Sequence, residues 1–176
     1  TYGLDSGGHP RHIPDLTFEA FMDFHRRYYH PSNAFIFFSG DDDPKYRLEV
    51  LSRELRAFQP LDVDSAVALQ PTFAVPRRTV KTYPVSLDRD QANQAMLTMN
   101  WVVGETIDPD HNLAWSVLEY LLIEMPSSPL RKALIDSGLG EDLAGVGLEA
   151  ELRQMFFSTG LRGLREADAP KVEALV

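Results

Sequence analysis

The segment from Gln94 to Val103 constrains the fold more than any other part of this chain. Its residues divide into two alternating sets, Ala95, Leu97, Met99, Trp101 and Val103 against Gln94, Met96, Thr98, Asn100 and Val102. A period of two places one set on each face of a β-strand. We therefore expect a strand with one well-buried face and one partly polar face.

The elements around this strand predict a mixed α and β domain. We expect a further strand over 78–85, helices opened by Asp108-Pro109 and Ser128-Pro129, and a third strand over 151–163. Gly138 is expected to end the second helix, the glycine-rich residues 139–148 to form a turn, and Asp168 to cap a last helix. Pairs of strands followed by helices favour an α+β fold, an antiparallel or mixed sheet layered with helices, over a doubly wound parallel sheet.

The N-terminal part predicts a separate unit. After a loop over 1–16, Thr17 has the chemistry of a helix N-cap, and the aromatic residues from Phe18 to Tyr28 have near-helical spacing that indicates a buried face. We expect that helix to end by His30, a strand buried on both faces over 34–39, and a second helix opened by Asp43-Pro44.

The proline-bracketed residues 59–76 show no clear periodicity and are the candidate linker between units 1–58 and 77–176. The start at Thr1 without methionine, and a last helix of only about two turns at Val176, lead us to expect a piece of a longer protein.

Composition excludes several functions. The chain has no cysteine, so disulfides, thiolate catalysis and cysteine-based metal sites are excluded within it. A net charge of −9 argues against binding to the phosphate backbone of nucleic acids and would favour basic partners. No apolar run reaches the roughly 18 residues of a membrane helix, so we expect no membrane partner.

The five histidines do not predict a metal site. His9 and His12 are separated by a proline-containing loop, whereas zinc histidines on a helix are normally four apart or enclose a Glu in H-x-x-E-H. His25 and His30 are separated by roughly 500° of helix rotation, so their rings diverge by about 140°. Hydrogen-bonded or solvated structural histidines are the better interpretation.

Three further motifs have structural interpretations. Asp41, Asp42 and Asp43 lack the alternating ligands and distal Glu of a calcium loop, and Asp43 as a helix cap explains them better. The run Asp5-Ser6-Gly7-Gly8 matches neither a nucleophile elbow nor a phosphate loop and predicts a tight turn. Gly138-Leu139-Gly140 predicts a helix stop. These residues alone indicate an α+β fragment with no visible catalytic centre, so catalytic and metal-binding residues are expected to be none and substrate-binding residues unknown.

Several longer motifs carry a resemblance to a known family. They are Tyr2-Gly3-Leu4-Asp5-Ser6-Gly7-Gly8-His9-Pro10, Ile13-Pro14-Asp15-Leu16-Thr17-Phe18, Tyr28-Tyr29-His30-Pro31-Ser32-Asn33-Ala34, Gly40-Asp41-Asp42-Asp43-Pro44, Ser128-Pro129-Leu130-Arg131-Lys132-Ala133-Leu134 and Ser137-Gly138-Leu139-Gly140. In this order they resemble the organellar, presequence-degrading, one-chain branch of the pitrilysin family of zinc peptidases, especially its plant-like members. The main local departure is His9, where the family often has an acidic residue, and residues 59–95 match only loosely.

The resemblance implies a large, monomeric, ATP-independent zinc metalloendopeptidase with four related α+β domains that close around a chamber. Such enzymes degrade cleaved mitochondrial presequences, chloroplast transit peptides and other short unstructured, often basic peptides in the mitochondrial matrix or chloroplast stroma. Their zinc is bound by an H-x-x-E-H helix and a distal Glu, a motif that is absent here and that the family places upstream. By this match, residues 1–58 end the first, catalytic domain, and 77–176 are much of the second, non-catalytic domain, which supports the first and lines the chamber.

Two alternatives remain open. The chain could belong to a non-catalytic structural or assembly subunit of pitrilysin type, since the wider family includes members that lost the metal motif. It could also be a peptide-binding module that acts by strand addition at a sheet edge. An intact H-x-x-E-H in the complete protein would distinguish an active peptidase from the first alternative. Titration of the chain with a basic, disordered peptide would test the second.

Overall fold

The computed structural model describes Gly3, residues 7–86, Asp88 and residues 91–176. The chain divides into two compact units, Thr1–Ala68 and Leu69–Val176. This border falls within the predicted linker 59–76, and the assignment of the units to the first and second domains of a longer protein stays a prediction. Among the described residues, no helix combines the length and the apolar character needed to cross a membrane.

Unit 1 contains two helices that begin where the sequence predicts. Helix α1 spans Phe18–Tyr28, and helix α2 spans Pro44–Leu55. The Ala20 N–H donates to Thr17 Oγ1 at 3.2 Å, and the Lys45 N–H donates to Asp43 Oδ1 at 2.9 Å. Each bond satisfies one of the backbone donors that a helix N-terminus leaves unpaired, so both predicted caps are confirmed. Short 3-10 turns at Ile13–Asp15 and Pro31–Asn33 precede and follow α1.

Two predictions of burial in unit 1 are wrong. Residues 34–39 form no strand, and the Phe35 and Phe37 side chains are 92% and 78% exposed. The aromatic face of α1 is also exposed, at Phe18, Phe21 and Phe24. The physical reason is common to both: the described part of this unit contains no strand that could pair with residues 34–39, and no sheet against which α1 could pack.

Unit 2 is a three-stranded antiparallel sheet with helices. Its elements in chain order are β1 Ala95–Glu105, α3 Pro109–Glu119, a π-helical turn Tyr120–Glu124, α4 Pro129–Asp136, β2 Asp142–Glu149, β3 Gln154–Leu164 and α5 Ala169–Leu175, with 3-10 turns at Gln91–Asn93 and Glu166–Asp168. The strand order is β1-β3-β2, so β3 is central. This architecture confirms the predicted α+β fold class.

The core of unit 2 lies between the sheet and two helices. Leu161 of β3 pairs with Leu97 on one side and Leu143 on the other, and it is fully buried against Leu134 of α4 and Val172 of α5. The predicted alternation in β1 holds from Ala95 to Asn100: Ala95, Leu97 and Met99 are half-buried, and Met96, Thr98 and Asn100 are exposed. The prediction of a well-buried face is wrong, because no residue of β1 is fully buried and Trp101 is 41% exposed. Burial of such aliphatic side chains stabilises a domain by about 1.5–3 kcal/mol each.

Several local predictions in unit 2 need correction. Residues 78–85 form no strand; Arg78 instead makes an ion pair with Glu173, and the Tyr83 hydroxyl donates to the Gln94 carbonyl oxygen. The predicted turn over 139–148 contains strand β2. Its ladder shifts register between Ala144 and Gly147, where Gly145 and Gly147 have φ of +93° and +70°, values that favour glycine.

The helix ends in unit 2 mostly follow the prediction. Asp108 Oδ1 accepts from the N–H groups of Asp110 and His111 at 3.1 and 3.2 Å, and Gly138 follows α4 with φ of +64°. Asp168 occupies the N-cap position of α5, but its carboxylate binds the Lys171 ammonium at 2.6 Å rather than a backbone N–H. The predicted capping bond of Asp168 is therefore wrong.

Candidate functional site

The sheet of unit 2 has one face that the helices α4 and α5 leave uncovered. Because Leu97 and Leu161 point to the core, their neighbours in each strand point the other way. This helix-free face presents Met96, Thr98, Asn100 and Val102 from β1, Phe156, Ser158, Gly160 and Arg162 from β3, and Asp142, Ala144 and Glu149 from β2. Its β1 residues are exposed, whereas Ser158, Gly160 and Ala144 in its centre are buried.

Small residues make the centre of the helix-free face shallow. Gly160 of β3 lies between Thr98 and Ala144 in the register, and Ser158 lies beside Asn100. A side chain at Gly160 would overlap the Leu97 carbonyl oxygen of the neighbouring strand, so glycine is required there. The result is a low, buried floor in the middle strand beside Ala144 and Gly147 of β2, with the longer Thr98 and Asn100 side chains on the β1 side.

An ion pair crosses one end of this face. The Arg162 guanidinium donates to Asp142 Oδ2 at 2.7 Å, and the Leu143 N–H donates to Asp142 Oδ1 at 2.8 Å. The hydrogen bond from Arg162, followed by that from Leu143, lowers the pKa of Asp142, and the same carboxylate raises the pKa of Arg162. Both groups keep their charges near neutral pH, and Glu149 adds a carboxylate at the other end of β2.

A hydrogen bond to a side chain of α3 stabilises the bulge in β2. The Leu148 N–H donates to Glu119 Oε1 of α3 at 2.5 Å. Gly147 makes this approach possible, because a Cβ there would overlap the same carboxylate oxygen. Glu119 thus satisfies a backbone donor at the interrupted part of the ladder and fixes the path of this edge strand.

A group of aromatic rings lies on the opposite face of the sheet. Phe157 of β3 has its ring centroid 6.1 Å from that of Trp101 and 6.4 Å from that of Trp115. The Trp115 indole N–H donates to His111 Nε2 at 2.7 Å. His111 packs beside Gly104, where an added Cβ would lie 3.3 Å from the imidazole ring. These contacts join the start of α3 to the sheet.

The remaining histidines have separate partners in unit 1. His9 Nδ1 accepts from the Arg11 N–H at 3.2 Å, and its ring centroid is 5.4 Å from that of His12. The His25 ring stacks on Tyr29 at 4.8 Å, and His30 Nδ1 accepts from the Ser32 N–H at 3.1 Å. His25 and His30 are therefore not brought together.

Two of the three aspartates after Gly40 act in helix capping and ion pairing. Asp43 caps α2, as predicted, and the carboxylate of Asp42 is paired with the guanidinium of Arg47. The same guanidinium donates to the Gly40 carbonyl oxygen at 3.1 Å. These bonds hold the turn before α2 and leave the acidic run with a structural function.

The two glycine motifs have different outcomes. Asp5 and Ser6 lie outside the described residues, so the turn predicted for Asp5-Ser6-Gly7-Gly8 stays a prediction. Gly138 ends α4, as expected. A Cβ at Gly140 would lie 2.8 Å from the Arg162 carbonyl oxygen, which shows that this second glycine permits close approach to β3.

The sequence analysis did not identify the polar side chains that stabilise the turn before α4 and the bulge in β2. Ser128 is fully buried: its hydroxyl donates to the Tyr120 carbonyl oxygen at 3.2 Å and accepts from the Met125 N–H at 3.1 Å. These two bonds tie the residues that follow the π-helical turn to its first residue, Tyr120. The only signal was Ser128-Pro129, which predicts the start of a helix but not a buried hydroxyl. Nothing in the sequence pattern singled out Glu119 or the pairing of Asp142 with Arg162.

The fold and these sites define an α+β domain whose sheet is covered by helices on one face. Residues 15–176 match the family described as Peptidase M16 inactive domain, and the chain belongs to this family. It is 49% identical over its full length to presequence protease 1, chloroplastic/mitochondrial, of Arabidopsis thaliana, and 38% identical over its full length to the mitochondrial presequence protease of Mus musculus. It is also 39% identical over 82% of its length to protein HypA of Clostridium perfringens.

These relatives are much longer than the chain. It spans 17% of each presequence protease and 15% of HypA. The matches confirm the resemblance drawn from the sequence motifs. The family match runs across both units, so it does not separate the end of one domain from the next.

The residues of this segment do not fit the zinc site that the resemblance implies. Within the described part of the chain, no three His, Asp or Glu side chains are grouped as candidate ligands. A catalytic zinc site needs three protein ligands and an open position.

Proposed function

We propose that this chain is a segment of an ATP-independent zinc metalloendopeptidase that degrades cleaved presequences, transit peptides and other short unstructured peptides. The observation that carries the proposal is the 49% identity, over the whole chain, to a protein named presequence protease 1. In this proposal the zinc and the water-activating Glu belong to an upstream part of the complete protein. The names chloroplastic/mitochondrial and mitochondrial among the relatives support the mitochondrial matrix or the chloroplast stroma as the location.

The segment's own part in the reaction is to build a wall and to support the catalytic domain. The helix-free face is the surface we assign to the chamber, since its exposed Thr98 and Asn100 side chains and the carboxylate of Glu149 suit an extended chain. This carboxylate would raise the local concentration of basic peptides, and the chain's net charge of −9 acts in the same direction. No nucleic acid or membrane partner is part of this proposal, and the complete protein is expected to be a monomer.

The first experiment tests the reaction itself. The complete protein should cleave a basic, unstructured peptide without ATP, lose that activity in a chelator and recover it with zinc. The 176-residue chain alone should cleave nothing and bind no stoichiometric zinc. Chelator-sensitive cleavage by the isolated chain would contradict the proposal. A complete protein without H-x-x-E-H would indicate the non-catalytic subunit instead.

The second experiment tests whether the helix-free face lines the chamber. Glu149→Gln in the complete protein should raise KM for a basic peptide by about twofold to threefold at low salt and by less at high salt, because screening weakens the attraction. The matched control is Glu54→Gln, which removes the same charge from the exposed surface of α2. An unchanged KM at low salt, or an equal effect of both changes, would reject the role of this face.

Strand addition is a second candidate because β1 and β2 are edge strands of the described sheet. An edge strand offers backbone donors and acceptors to an extended peptide. Titration of the 176-residue chain with a basic, disordered peptide tests this function. Micromolar binding by the chain alone would favour it, and no binding would favour the peptidase segment.

A further inference from the structure

We infer that the outward side of α3 and of the π-helical turn after it is a docking site for a basic amphipathic helix. The apolar side chains of this side, here called the α3 stripe, are Leu113, Val117, Tyr120 and Leu121, and they are 49% to 64% exposed. Their spacing of three or four residues places them together on one side of the helix, over about 12 Å of its length. The inference rests on the proposed function, which supplies basic peptides as the ligand.

Helix α3 is inverted relative to an ordinary surface helix. A surface helix of a globular domain packs its apolar side against the core and leaves its polar side in water. On the side of α3 that meets the sheet, the Trp115 ring lies beside Phe157. The Glu119 carboxylate, on the same side, accepts from the Leu148 N–H. The α3 stripe points to solvent instead, and contiguous exposed apolar side chains of this kind mark interaction sites.

The charges around the α3 stripe favour a basic partner. Residues 91–130 contain no Lys or Arg but five carboxylates, those of Glu105, Asp108, Asp110, Glu119 and Glu124. Asp110 lies three residues before the first member of the stripe, and Glu124 lies three residues after the last. Both are exposed, and among the described residues neither forms an ion pair. A carboxylate at each end of an apolar stripe attracts a partner that has cations beside its own apolar face.

A basic amphipathic helix has both of the required features. Organellar targeting peptides are amphipathic, rich in Arg and poor in acidic residues. As a helix, such a peptide presents apolar side chains at positions i, i+3, i+4 and i+7, which is the pattern of helix-in-groove recognition. Its apolar face would cover the α3 stripe, and its arginines would lie against Asp110 and Glu124. The stripe points away from the sheet, so this site is separate from the helix-free face that we assign to extended chains.

Hydroxyl-radical footprinting of the complete protein tests the docking site, because it measures the solvent exposure of individual side chains. The probe is a synthetic, Arg-rich amphipathic peptide that contains α-aminoisobutyric acid, a residue that favours the helix and resists cleavage. The reference peptide has the same composition in a scrambled order without an apolar face. The amphipathic peptide should lower the oxidation of Tyr120 and Leu121 severalfold, and the scrambled peptide should leave it unchanged.

Two variants of the complete protein test the contacts, with peptide affinity measured by fluorescence anisotropy. Leu121→Ser should weaken binding of the amphipathic peptide about fivefold, because it removes apolar area from the contact. Ile135→Ser is its matched control, since Ile135 is an apolar side chain of α4 with a similar exposure of 42%. Glu124→Gln should weaken binding about twofold at low salt and by less at high salt, with Glu49→Gln on the exposed surface of α2 as its control.

Three results would overturn the inference. The first is resistance of Tyr120 and Leu121 to oxidation without peptide, because another part of the complete protein then covers the stripe. The second is no protection by the amphipathic peptide, or equal protection by the scrambled one. The third is equal weakening of binding in Leu121→Ser and Ile135→Ser.

Cleavage of a separate, unstructured peptide keeps this inference distinct from the proposed function. A complete protein that cleaves this peptide, but in which the amphipathic probe does not protect the α3 stripe, contradicts the docking site alone. A complete protein in which the probe protects the stripe, but which cleaves no peptide, contradicts the proposed function alone.

Discussion

The two units follow the same local rules but bury very different amounts of their side chains. Helices α1 and α2 of unit 1 are capped by Thr17 and Asp43, yet neither helix contains a buried residue. In unit 2, α4 and α5 contribute Leu134 and Val172 to a core in which Leu161 is fully buried. The difference shows that capping and turn chemistry specify helices locally, whereas burial requires a sheet that only unit 2 contains among the described residues.

The largest expected effect comes from removing core volume in unit 2. Leu161→Ala should lower the free energy of unfolding of the chain by about 2–5 kcal/mol, because it removes buried methyl groups and leaves a cavity. Phe21→Ala removes a larger side chain that is 54% exposed, and it should cost less than about 1 kcal/mol in the isolated chain. Denaturant unfolding followed by circular dichroism measures both. Equal losses would show that the aromatic face of α1 is buried in solution.

A buried hydroxyl in unit 2 should have the next largest effect. Ser128→Ala leaves the Met125 N–H and the Tyr120 carbonyl oxygen without the partner that each has now, at an expected cost of about 1–3 kcal/mol. Ser127→Ala is the control, because the adjacent serine is exposed. Thermal unfolding of both variants gives the comparison. A loss as large in Ser127→Ala would contradict the assigned role of Ser128.

Loss of a helix cap should lower helix stability by about the same amount in the two units, because the capping bond is local. Asp43→Ala removes the cap of α2, and Asp108→Ala removes that of α3; each should cost about 1 kcal/mol of helix stability. Asp41→Ala, beside the first cap but outside the helix, is the control. Residue-level helicity from NMR chemical shifts would report the change. If only Asp108→Ala lowered the helicity, the stability of α2 would depend on packing rather than on its cap.

The sequence predicts most of the fold that local chemistry determines. It places β1, all five helices and Gly138, since period, caps and glycine are read from neighbouring residues. It fails at residues 34–39 and 78–85, because a strand exists only where a partner is available, and the partner is distant in sequence. It misses β2 because Gly145 and Gly147 suggest a turn, although here they form a bulge inside a strand.

The candidate site is less predictable than the fold for the same reason. The two residues of the Asp142–Arg162 ion pair are 20 positions apart, and the hydrogen-bonded residues Gln70 and Gln154 are 84 apart. No local pattern joins such residues: the register of β2 and β3 brings Asp142 to Arg162, and the path of the chain outside the strands brings Gln70 to Gln154. The family resemblance, by contrast, was recoverable, because it depends on short motifs in a fixed order.

The smallest expected effect concerns the charge pair at the end of the helix-free face. Arg162→Gln removes the strongest cause of the lowered pKa of Asp142, so that pKa should rise toward its ordinary value of 3.8. Because the folded-state pKa is now below the unfolded value, the pair contributes stability above pH 3.8 and loses it as the pH falls through the folded-state pKa. The variant should therefore begin acid unfolding at a slightly higher pH. Carboxyl chemical shifts of Asp142 measured against pH give the direct test, with Arg165→Gln as the control on the same unit. A pKa that does not move in Arg162→Gln would show that the exposed pair is not formed in solution.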